Sequence, residues 1–288
     1  MLEGTIIKGV GGLYTVKTDE GETFVLRCKK KFRKMKISPL VGDYIDFTPA
    51  YGDEHGWVES IHERKNVCLR PPVSNVQALV IVLAPEPKAD LLLADKLLIA
   101  AYQQGIEPYL VINKCDVGED SFQSIEKEYR FSGAKVFRVS AETGEGVQGL
   151  KDALMGQIAC FAGQSGVGKS TLINALIGYD LKTGEISEKI RRGRHTTRHA
   201  ELIEKDGMRV VDTPGFSLLE SPETYDPVLL QRWYKEFEPY AGECKFSVCY
   251  HYKEPGCAVL NADINPERLA RYHILLEQLK QKWRDRNG

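Results

Sequence analysis

Residues 157–178 read QIACFAGQSGVGKSTLINALIG, and no other stretch of the chain constrains the architecture so strongly. Residues 163–170 fit the pattern G-x-x-x-x-G-K-[ST], preceded by an apolar run and followed by a helix-forming one. Glycines let backbone N–H groups point at phosphate oxygens, Lys169 would reach the β- and γ-phosphates, and the Ser170 hydroxyl would bind Mg²⁺. An ordinary glycine-rich turn is the alternative, which the flanking strand and helix disfavour. The predicted phosphate contacts are Gly163, Gln164, Ser165, Gly166, Val167, Gly168, Lys169, Ser170 and Thr171.

A second polar motif follows the apolar run PYLVI. Residues 113–116, Asn-Lys-Cys-Asp, fit N-K-x-D, in which Asp116 accepts hydrogen bonds from the ring N–H and exocyclic amine of guanine. Lys114 would lay its stem along the base, and Asn113 completes the motif. A solvated polar loop is the alternative for the tetrapeptide alone, but a P-loop in the same chain favours guanine binding. Ser140 and Ala141 end the run KVFRV and match the loop whose backbone N–H contacts the guanine oxygen.

Two segments supply candidates for the magnesium ion and the γ-phosphate. Residues 212–215, Asp-Thr-Pro-Gly, end the run MRVV and fit D-x-x-G, in which Asp212 holds Mg²⁺ through water and the N–H of Gly215 senses the γ-phosphate. Between this motif and the P-loop lies RRGRHTTR, where a threonine would complete the Mg²⁺ shell. Thr197 is the first candidate and Thr196 the second. A plain basic loop is an equally compatible description of this segment.

The order of these motifs is unusual. Small GTPases run P-loop, switch threonine, D-x-x-G, N-K-x-D and S-A, whereas here the last two motifs come first. The simplest explanation is circular permutation, with the old ends joined near residues 155–157, Met-Gly-Gln, and new ends opened after residue 215. Chain termini often lie close together, so permutation can preserve a site. Permutation also places the γ-phosphate sensor directly upstream of the C-terminal segment.

Four soft or borderline metal ligands cluster near the C-terminus. Cys244, Cys249, His251 and Cys257 lie within 14 residues, whereas the other four of the seven cysteines are scattered. Three thiolates and one imidazole form a closed structural zinc set with no open position for catalysis. Buried or free thiols are the alternative. Because the segment is too short to build much core, one Zn²⁺ would contribute on the order of 10 kcal/mol to its folding.

The chain divides into three segments. Residues 1–66 contain five short runs bounded by turn residues, which predict an OB-type β-barrel, although an SH3-like barrel has a similar strand count. Residues 67–220 alternate continuous apolar strands with helix-length stretches, the pattern of an α/β domain with a mainly parallel sheet. Residues 221–288 hold the metal cluster and end in a predicted helix. The predicted fold is multidomain α/β, in which a circularly permuted P-loop GTPase domain lies between the OB-type β-barrel and a zinc-binding, mainly helical domain.

Composition and charge exclude several classes of protein. The chain has 288 residues, of which 42% are hydrophobic, so it can bury a core in each of two or three domains. A net charge of −1 argues against a generally basic, DNA-coating protein. Neither a signal peptide nor an apolar run of about 18 residues is found, and an odd number of cysteines suits a reducing compartment. We therefore expect a cytoplasmic protein, and a monomer because no heptad pattern stands out.

With these motifs in this order, the chain resembles the YjeQ/RsgA family, the circularly permuted GTPases of bacterial small-ribosomal-subunit biogenesis. The resemblance covers nearly the whole chain: the barrel, NKCD, SAETGEGV, GQSGVGKST, GRHTTR, DTPGF, and the spacing C-x4-C-x-H-x5-C followed by AVLNADINPERLARY. It implies a three-domain, zinc-bearing GTPase that docks on the small subunit late in maturation and is stimulated by it. Composition and spacing do not by themselves indicate that ribosomal role.

Hydrolysis requires a group that orients the attacking water. In Ras-type GTPases a Gln directly after D-x-x-G does this, but Phe216 occupies that position here and cannot. The family shares an apolar residue there, which implies slow intrinsic hydrolysis. His195 is the candidate for positioning the water, and an equally weighted alternative is that His195 is simply a solvated loop residue. Lys169 is the second candidate catalytic residue.

Nucleic-acid contacts are predicted less specifically. A basic run lies inside the barrel segment, with Phe32 available for base stacking, and its members are Arg27, Lys29, Lys30, Lys31, Arg33, Lys34 and Lys36. OB barrels bind nucleic acid with loops and one sheet face, although a solvated loop explains the run equally well. The C-terminal helix could add contacts through Arg268, Arg271, Lys280, Lys282, Arg284 and Arg286. Its Leu and Ile positions are expected to pack on the zinc domain.

Two functions fit these observations. The first is a GTPase that binds the small ribosomal subunit and its rRNA, assists late maturation, and hydrolyses GTP to GDP and phosphate with stimulation by the subunit. The second is a GTP/GDP-sensing protein that regulates a protein partner without ribosome-stimulated hydrolysis. The barrel, the basic run and the zinc cluster favour the first. An ATPase comes third, because N-K-x-D argues against adenine.

Overall fold

The computed structural model describes residues 1–50, 55–69, 72–117, 120–178, 201–212 and 226–287. A barrel, a central sheet with helices, and a C-terminal module follow one another along the chain. None of the helices in these ranges combines the length and the apolar character needed to cross a lipid bilayer.

The N-terminal part is a closed five-stranded barrel. Its elements are β1 (Leu2–Val10), β2 (Leu13–Lys17), β3 (Thr23–Cys28), α1 (Lys30–Lys34), β4 (Tyr44–Thr48) and β5 (Gly56–Ile61). β1 pairs with β2 and β4, β2 pairs with β3, β3 runs parallel to β5, and the β4–β5 pairing completes the circle. Alternate side chains point inward, and the fully buried ones are Ile6, Val16, Leu26, Ile45, Phe47 and Val58. The predicted OB-type barrel is confirmed.

The central part is a six-stranded sheet. After a small hairpin of β6 (Val67–Leu69) and β7 (Pro72–Ser74), its strands are β8 (Ala78–Leu83), β9 (Glu107–Ile112), β10 (Lys135–Arg138), β11 (Ile158–Ala162), β12 (Glu201–Lys205) and β13 (Met208–Asp212). Their order is β10-β9-β8-β11-β13-β12, and only β12 is antiparallel to its neighbour. Asp206 and Gly207 both have positive φ, of 49° and 76°, as a tight hairpin turn between β12 and β13 requires.

Helices cover both faces of this sheet. Helices α2 (Leu91–Gln103) and α3 (Asp120–Tyr129) pack on one face, and α4 (Val147–Leu154) and α5 (Lys169–Ile177) pack on the other. Along β8, Leu79 and Ile81 join the first layer while Val80 and Val82 join the second. Burial on both faces explains why this strand reads as a continuous apolar run.

The barrel and the central sheet form one continuous sheet. Lys8 of β1 pairs with Glu201 of β12, which extends the strand order through β12-β1-β2-β3-β5-β4. Two ion pairs accompany this junction, Lys8–Glu201 at 2.9 Å and Lys17–Glu204 at 3.0 Å. Both are exposed enough to be screened by solvent, so each contributes about 0.2–1 kcal/mol at most. The barrel therefore attaches to the hairpin that ends at the D-x-x-G motif.

The C-terminal module is mainly helical, as expected. It contains 3-10 helices at Pro227–Trp233, Lys235–Tyr240 and Val259–Asn261, followed by the long helix α6 (Pro266–Asn287). Tyr234, Phe237 and Tyr272 pack at its centre, with ring centroids 4.9–5.3 Å apart. The expected packing of α6 is confirmed for three leucines that join the same cluster, Leu275, Leu276 and Leu279. It is wrong for Ile274, which is 47% exposed.

Two arginines of α6 reach into the central domain. Arg268 binds Asp95 of α2 and, at 2.7 Å, Glu236; Arg271 binds the same Asp95 at 2.7 Å and Glu128 of α3. Asp95 is fully buried, and the side chain of Arg268 is only 3% exposed. The interpretation of these two arginines as RNA contacts is therefore wrong, because internal carboxylates occupy both guanidinium groups.

Candidate nucleotide and zinc sites

The predicted phosphate loop connects β11 to α5 at one edge of the central sheet. Gly163, Gly166 and Gly168 all have positive φ, of 137°, 83° and 89°. A Cβ on Gly163 would lie 2.3 Å from the Val82 carbonyl oxygen, and a Cβ on Gly168 would lie 2.4 Å from Asn113 Nδ2. Glycine is therefore required at both ends of the loop. The first N–H groups of α5 have no partner within the helix, which makes this end an anion-binding site.

Lys169, the first residue of α5, lies inside this loop. Its Nζ donates hydrogen bonds to the carbonyl oxygens of Gly163, at 2.8 Å, and Gln164, at 2.7 Å. Burial lowers the pKa of Lys169 from its ordinary value. A phosphate in the loop would oppose that shift, because a nearby negative charge favours the ammonium form.

Asn113 joins the phosphate loop to the loops on the base side. Its buried side chain donates from Nδ2 to the carbonyl oxygen of Val167, at 2.9 Å, and accepts at Oδ1 from the N–H of Ala141, at 3.0 Å. The side-chain amide of Asn113 thus connects three loops that are far apart in sequence: the N-K-x-D loop, the P-loop and the S-A loop. A carboxylate could not replace it, because the contact to Val167 needs a donor.

The base-side loops line a half-open cavity of about 200 Å³. Lys114, at a φ of 63°, crosses its rim and donates from Nζ to the carbonyl oxygens of Glu86, at 2.6 Å, and Gly166, at 2.8 Å. The lining residues are Asn113, Lys114, Asp116, Val117, Ser140, Ala141, Glu142, Gly168 and Thr171. The structure therefore brings the N-K-x-D and S-A motifs to one cavity beside the P-loop. Sequence reasoning missed Val117 and Glu142, which directly follow residues that it did predict.

The side chain of Gln164 leaves the phosphate loop. Its Oε1 accepts from the N–H of Asp90 at 2.6 Å, and its Nε2 donates to the Lys88 carbonyl oxygen at 2.9 Å. Asp90 in turn caps α2 by accepting from the N–H of Leu93 at 2.9 Å. The side chain of Gln164 therefore ties the phosphate loop to the segment that begins α2. No local sequence pattern indicates this contact.

The magnesium side of the site is described in part. β13 ends at Asp212 and runs parallel to β11, so the D-x-x-G motif begins at the same sheet edge as the P-loop. Ser170 follows Lys169 in the first turn of α5. The remaining candidates lie outside the described residues: His195, Thr196, Thr197, Gly215 and Phe216.

The four predicted zinc ligands converge in the C-terminal module. The ligand atoms of Cys244, Cys249, His251 and Cys257 all lie within 4.8 Å of one another. Nδ1 of His251 is 3.2 Å from Cys257 Sγ and 3.7 Å from Cys244 Sγ, and these two sulfurs are 3.9 Å apart. Tetrahedral zinc with ordinary bond lengths needs about 3.6 Å between nitrogen and sulfur and about 3.8 Å between sulfurs. The cluster therefore fits one zinc ion.

A second contact fixes the histidine ring of this cluster. Nε2 of His251 lies 2.7 Å from Oε1 of Gln231, which leaves Nδ1 directed at the sulfurs. Such a partner orients a ligating imidazole and selects its tautomer. Gln231 lies 20 residues before His251, and sequence reasoning missed it because it belongs to no ligand spacing.

Comparison with known proteins assigns the family. A model of the RsgA GTPase matches residues 61–222, and a model of the RsgA N-terminal domain matches residues 3–58. The chain belongs to the RsgA GTPase family. The Small ribosomal subunit biogenesis GTPase RsgA of Clostridium beijerinckii is 40% identical over 98% of this chain and 100% of its own length. The protein of the same name from a Geobacillus species is 42% identical over 98% and 99%.

Two solved structures support the RsgA architecture. YjeQ from Thermotoga maritima has a TM-score of 0.83 and 32% identity, covering 96% of this chain and 98% of that one. YloQ, described as a circularly permuted GTPase, has a TM-score of 0.81 and 33% identity, covering 98% and 96%. The permuted GTPase fold is thus confirmed, and as an RsgA family member the chain is a GTPase.

The basic run of this RsgA chain divides between two environments. Arg27 is exposed on β3, the exposed Lys30, Lys31 and Lys34 lie on α1, and an exposed Lys36 follows, whereas Lys29 is paired with Glu59. The side chain of Arg33 lies outside the described part of the chain. Phe32 is only 5% exposed and belongs to the barrel core. The interpretation of Phe32 as a base-stacking residue is therefore wrong, because its ring is buried with the apolar side chains of the barrel.

Proposed function

We propose that the chain binds GTP at the edge of the central sheet and hydrolyses it to GDP and phosphate. The observation that carries this proposal is Asn113, whose amide joins the P-loop to both base-side loops around one cavity. Asp116 reads the guanine edge, residues 163–171 hold the phosphates, and Lys169 stabilises the charge that develops on them.

Metal ions complete the proposal. Ser170, Thr197 and Asp212 would hold one Mg²⁺, whose charge neutralises the phosphate oxygens during transfer. One structural Zn²⁺ would be held by the Cys/His cluster of the C-terminal module, which we assign to residues 221–288. The barrel occupies residues 1–66 and the GTPase domain residues 67–220.

We infer that the partner is the small ribosomal subunit. The curated relatives are named small ribosomal subunit biogenesis GTPases, and the chain spans at least 99% of the length of the Clostridium beijerinckii and Geobacillus proteins. The exposed cations of the barrel suit rRNA, since phosphate contacts dominate nucleic-acid affinity. The protein would act in the cytoplasm during late maturation of that subunit.

The test is the GTPase rate with and without purified small subunits, with large subunits as the control. We expect small subunits to raise the GTPase rate by about tenfold or more, which corresponds to an activation free energy lowered by about 1.4 kcal/mol or more. We also expect the small subunits to co-sediment with the protein. His195→Ala should lose the stimulation and keep GTP affinity, whereas His55→Ala should keep both. Without stimulation or co-sedimentation, a GTP/GDP sensor acting on a protein partner would be the better explanation. Equal stimulated rates for His195→Ala would remove that residue from the mechanism.

A further inference from the structure

The side chain of Gln164 leaves the phosphate loop that its backbone helps to form. Both ends of its amide are used, because Oε1 accepts from the N–H of Asp90 at 2.6 Å and Nε2 donates to the Lys88 carbonyl oxygen at 2.9 Å. Both partners belong to residues 84–90, which connect β8 to α2 and which we call the pre-α2 segment. The contact needs a donor and an acceptor together. Glutamine supplies both, whereas glutamate supplies acceptors alone.

The backbone of Gln164 helps to hold Lys169. The carbonyl oxygens of Gly163 and Gln164 accept hydrogen bonds from Lys169 Nζ at 2.8 Å and 2.7 Å. An ammonium group has three donors, so these two contacts leave one donor for a phosphate oxygen. The direction of that donor depends on where the two carbonyl groups lie.

The two carbonyl groups are fixed by different means. Gly163 lies so close to β8 that a Cβ on it would be 2.3 Å from the Val82 carbonyl oxygen. Gln164 follows it and is half-buried, and its own side chain anchors it to the pre-α2 segment. The sheet therefore holds one of the two carbonyl groups that bind Lys169, and an amide side chain holds the other.

The pre-α2 segment is itself held in place. Asp90 caps α2 by accepting from the N–H of Leu93 at 2.9 Å, and α2 packs on one face of the central sheet. Lys114 of the N-K-x-D motif donates from Nζ to the carbonyl oxygen of Glu86 at 2.6 Å. The segment therefore receives one side chain from the phosphate loop and one from a base-side loop. Movement of the phosphate loop relative to the segment would break the contacts of Gln164.

We propose that Gln164 is a positioning residue for GTP hydrolysis, whose side chain fixes the carbonyl group that directs Lys169 at the phosphates. The amide acts through Lys169 and does not have to touch the nucleotide. Displacing a group that acts on the reaction by about 1 Å can cost about 100-fold in rate. The inference rests on the proposed role of Lys169 in stabilising charge on the phosphates. It deepens that role by naming the residue that orients the lysine.

The test compares two glutamines on either side of β11 in the full chain. Gln164→Ala should lower kcat/KM for GTP about 10- to 100-fold, because Lys169 loses one fixed partner. Gln157→Ala is the matched control. The side chain of Gln157 also makes two hydrogen bonds, to Tyr109 Oη at 3.0 Å and to the Ala153 carbonyl oxygen at 2.8 Å, but Gln157 precedes the strand and lies at the end opposite the phosphate loop. It should leave kcat/KM unchanged, and thermal melting checks that both variants are folded.

Two further measurements separate positioning from a purely structural role. Gln164→Met keeps the length of the side chain and loses both hydrogen bonds, so it should behave like Gln164→Ala. A double-mutant cycle on GTP affinity, measured by competition with a fluorescent nucleotide, tests action through the lysine. Gln164→Ala should weaken GTP binding in the parent and have no further effect when Lys169→Ala is already present.

Three results would overturn the positioning role: full activity in Gln164→Met, an equal loss of kcat/KM in Gln157→Ala, or equal losses of GTP affinity with and without Lys169. Its failure is distinct from failure of the proposed function. If the parent hydrolyses GTP and Gln164→Ala has the same kcat/KM, only the positioning role is wrong. If the parent does not hydrolyse GTP, the proposed hydrolysis is wrong, and the affinity cycle still decides whether Gln164 acts through Lys169.

Discussion

Asn113 shows how one side chain organises a nucleotide site. Both ends of its amide are used, one by the P-loop and one by the S-A loop, while its own backbone belongs to the N-K-x-D loop. A buried donor or acceptor left without a partner costs about 1–3 kcal/mol. The three loops therefore hold their relative positions before any nucleotide binds, which reduces the ordering that binding must supply.

Base selectivity is expected to depend on Asp116. Its carboxylate would accept from two donors of guanine, whereas the amide of asparagine presents one acceptor oxygen and an NH₂ group that can only donate. Asp116→Asn should therefore weaken GTP binding at least about tenfold, given about 1.5–3 kcal/mol for a hydrogen bond to a charged group. Binding of xanthosine triphosphate, which carries an oxygen in place of the amine, should strengthen. Competition against a fluorescent nucleotide measures both affinities.

The control for this substitution is Glu142→Gln, because Glu142 lines the same cavity without an assigned contact to the base. It should leave the preference for guanine intact. If Asp116→Asn bound GTP as tightly as the parent, the base would have to be read elsewhere in the cavity.

At the scale of elements, α6 is attached to α2 by buried charge. Asp95 lies between Arg268 and Arg271, and Tyr129 Oη donates to the same carboxylate at 2.7 Å. Removing one partner of a buried pair costs about 3–5 kcal/mol, because the remaining charge stays buried and uncompensated. The attachment therefore resists partial separation, which would leave the buried Asp95 without either of its guanidinium partners.

Asp95→Asn should accordingly destabilise α6 by about 3–5 kcal/mol. Hydrogen exchange of the α6 amides reports this directly, because it measures local unfolding of that helix. Glu107→Gln is the control: Glu107 pairs with Lys135 at 2.7 Å, but both side chains are about half exposed, so the change should stay below about 1 kcal/mol. Similar exchange rates in the two variants would show that the buried cluster does not hold the helix.

The zinc ion should hold the three 3-10 helices together. The cluster contains the buried Cys249 and Cys257, which belong to the same apolar core as Tyr234 and Phe237. Removing zinc with a strong chelator should therefore abolish near-ultraviolet circular dichroism from this core and expose residues 226–287 to proteases. Cys257→Ser should reproduce the effect, and Cys28→Ser, distant from the cluster, should not. Resistance of the module to chelation would mean that its core folds without metal.

At the scale of the whole molecule, sequence predicts what is encoded locally. The P-loop, the β12–β13 hairpin and α5 follow from glycines, turn residues and apolar periods that lie within a few positions of one another. Contacts between distant segments have no such signal: Gln164 meets Asp90 across 74 positions, and Arg268 meets Asp95 across 173. The sequence therefore predicts solvent-exposed side chains for Arg268 and Arg271 and an accessible ring for Phe32, whereas all three are held inside the structure by residues distant in sequence. The hairpin of β6 and β7 has three residues per strand, too few to show a period.

The strand order also has a consequence for how the molecule behaves among other proteins. One end of the continuous sheet is folded into the barrel, and in the described part of the chain its other end is β10, only four residues long. Lys135 and Arg138 bracket that strand, and charged side chains on a short edge discourage pairing with foreign strands. A sheet this wide would otherwise offer a template for aggregation. In the described part of the chain, this end of the sheet is therefore protected against pairing with a strand of another molecule.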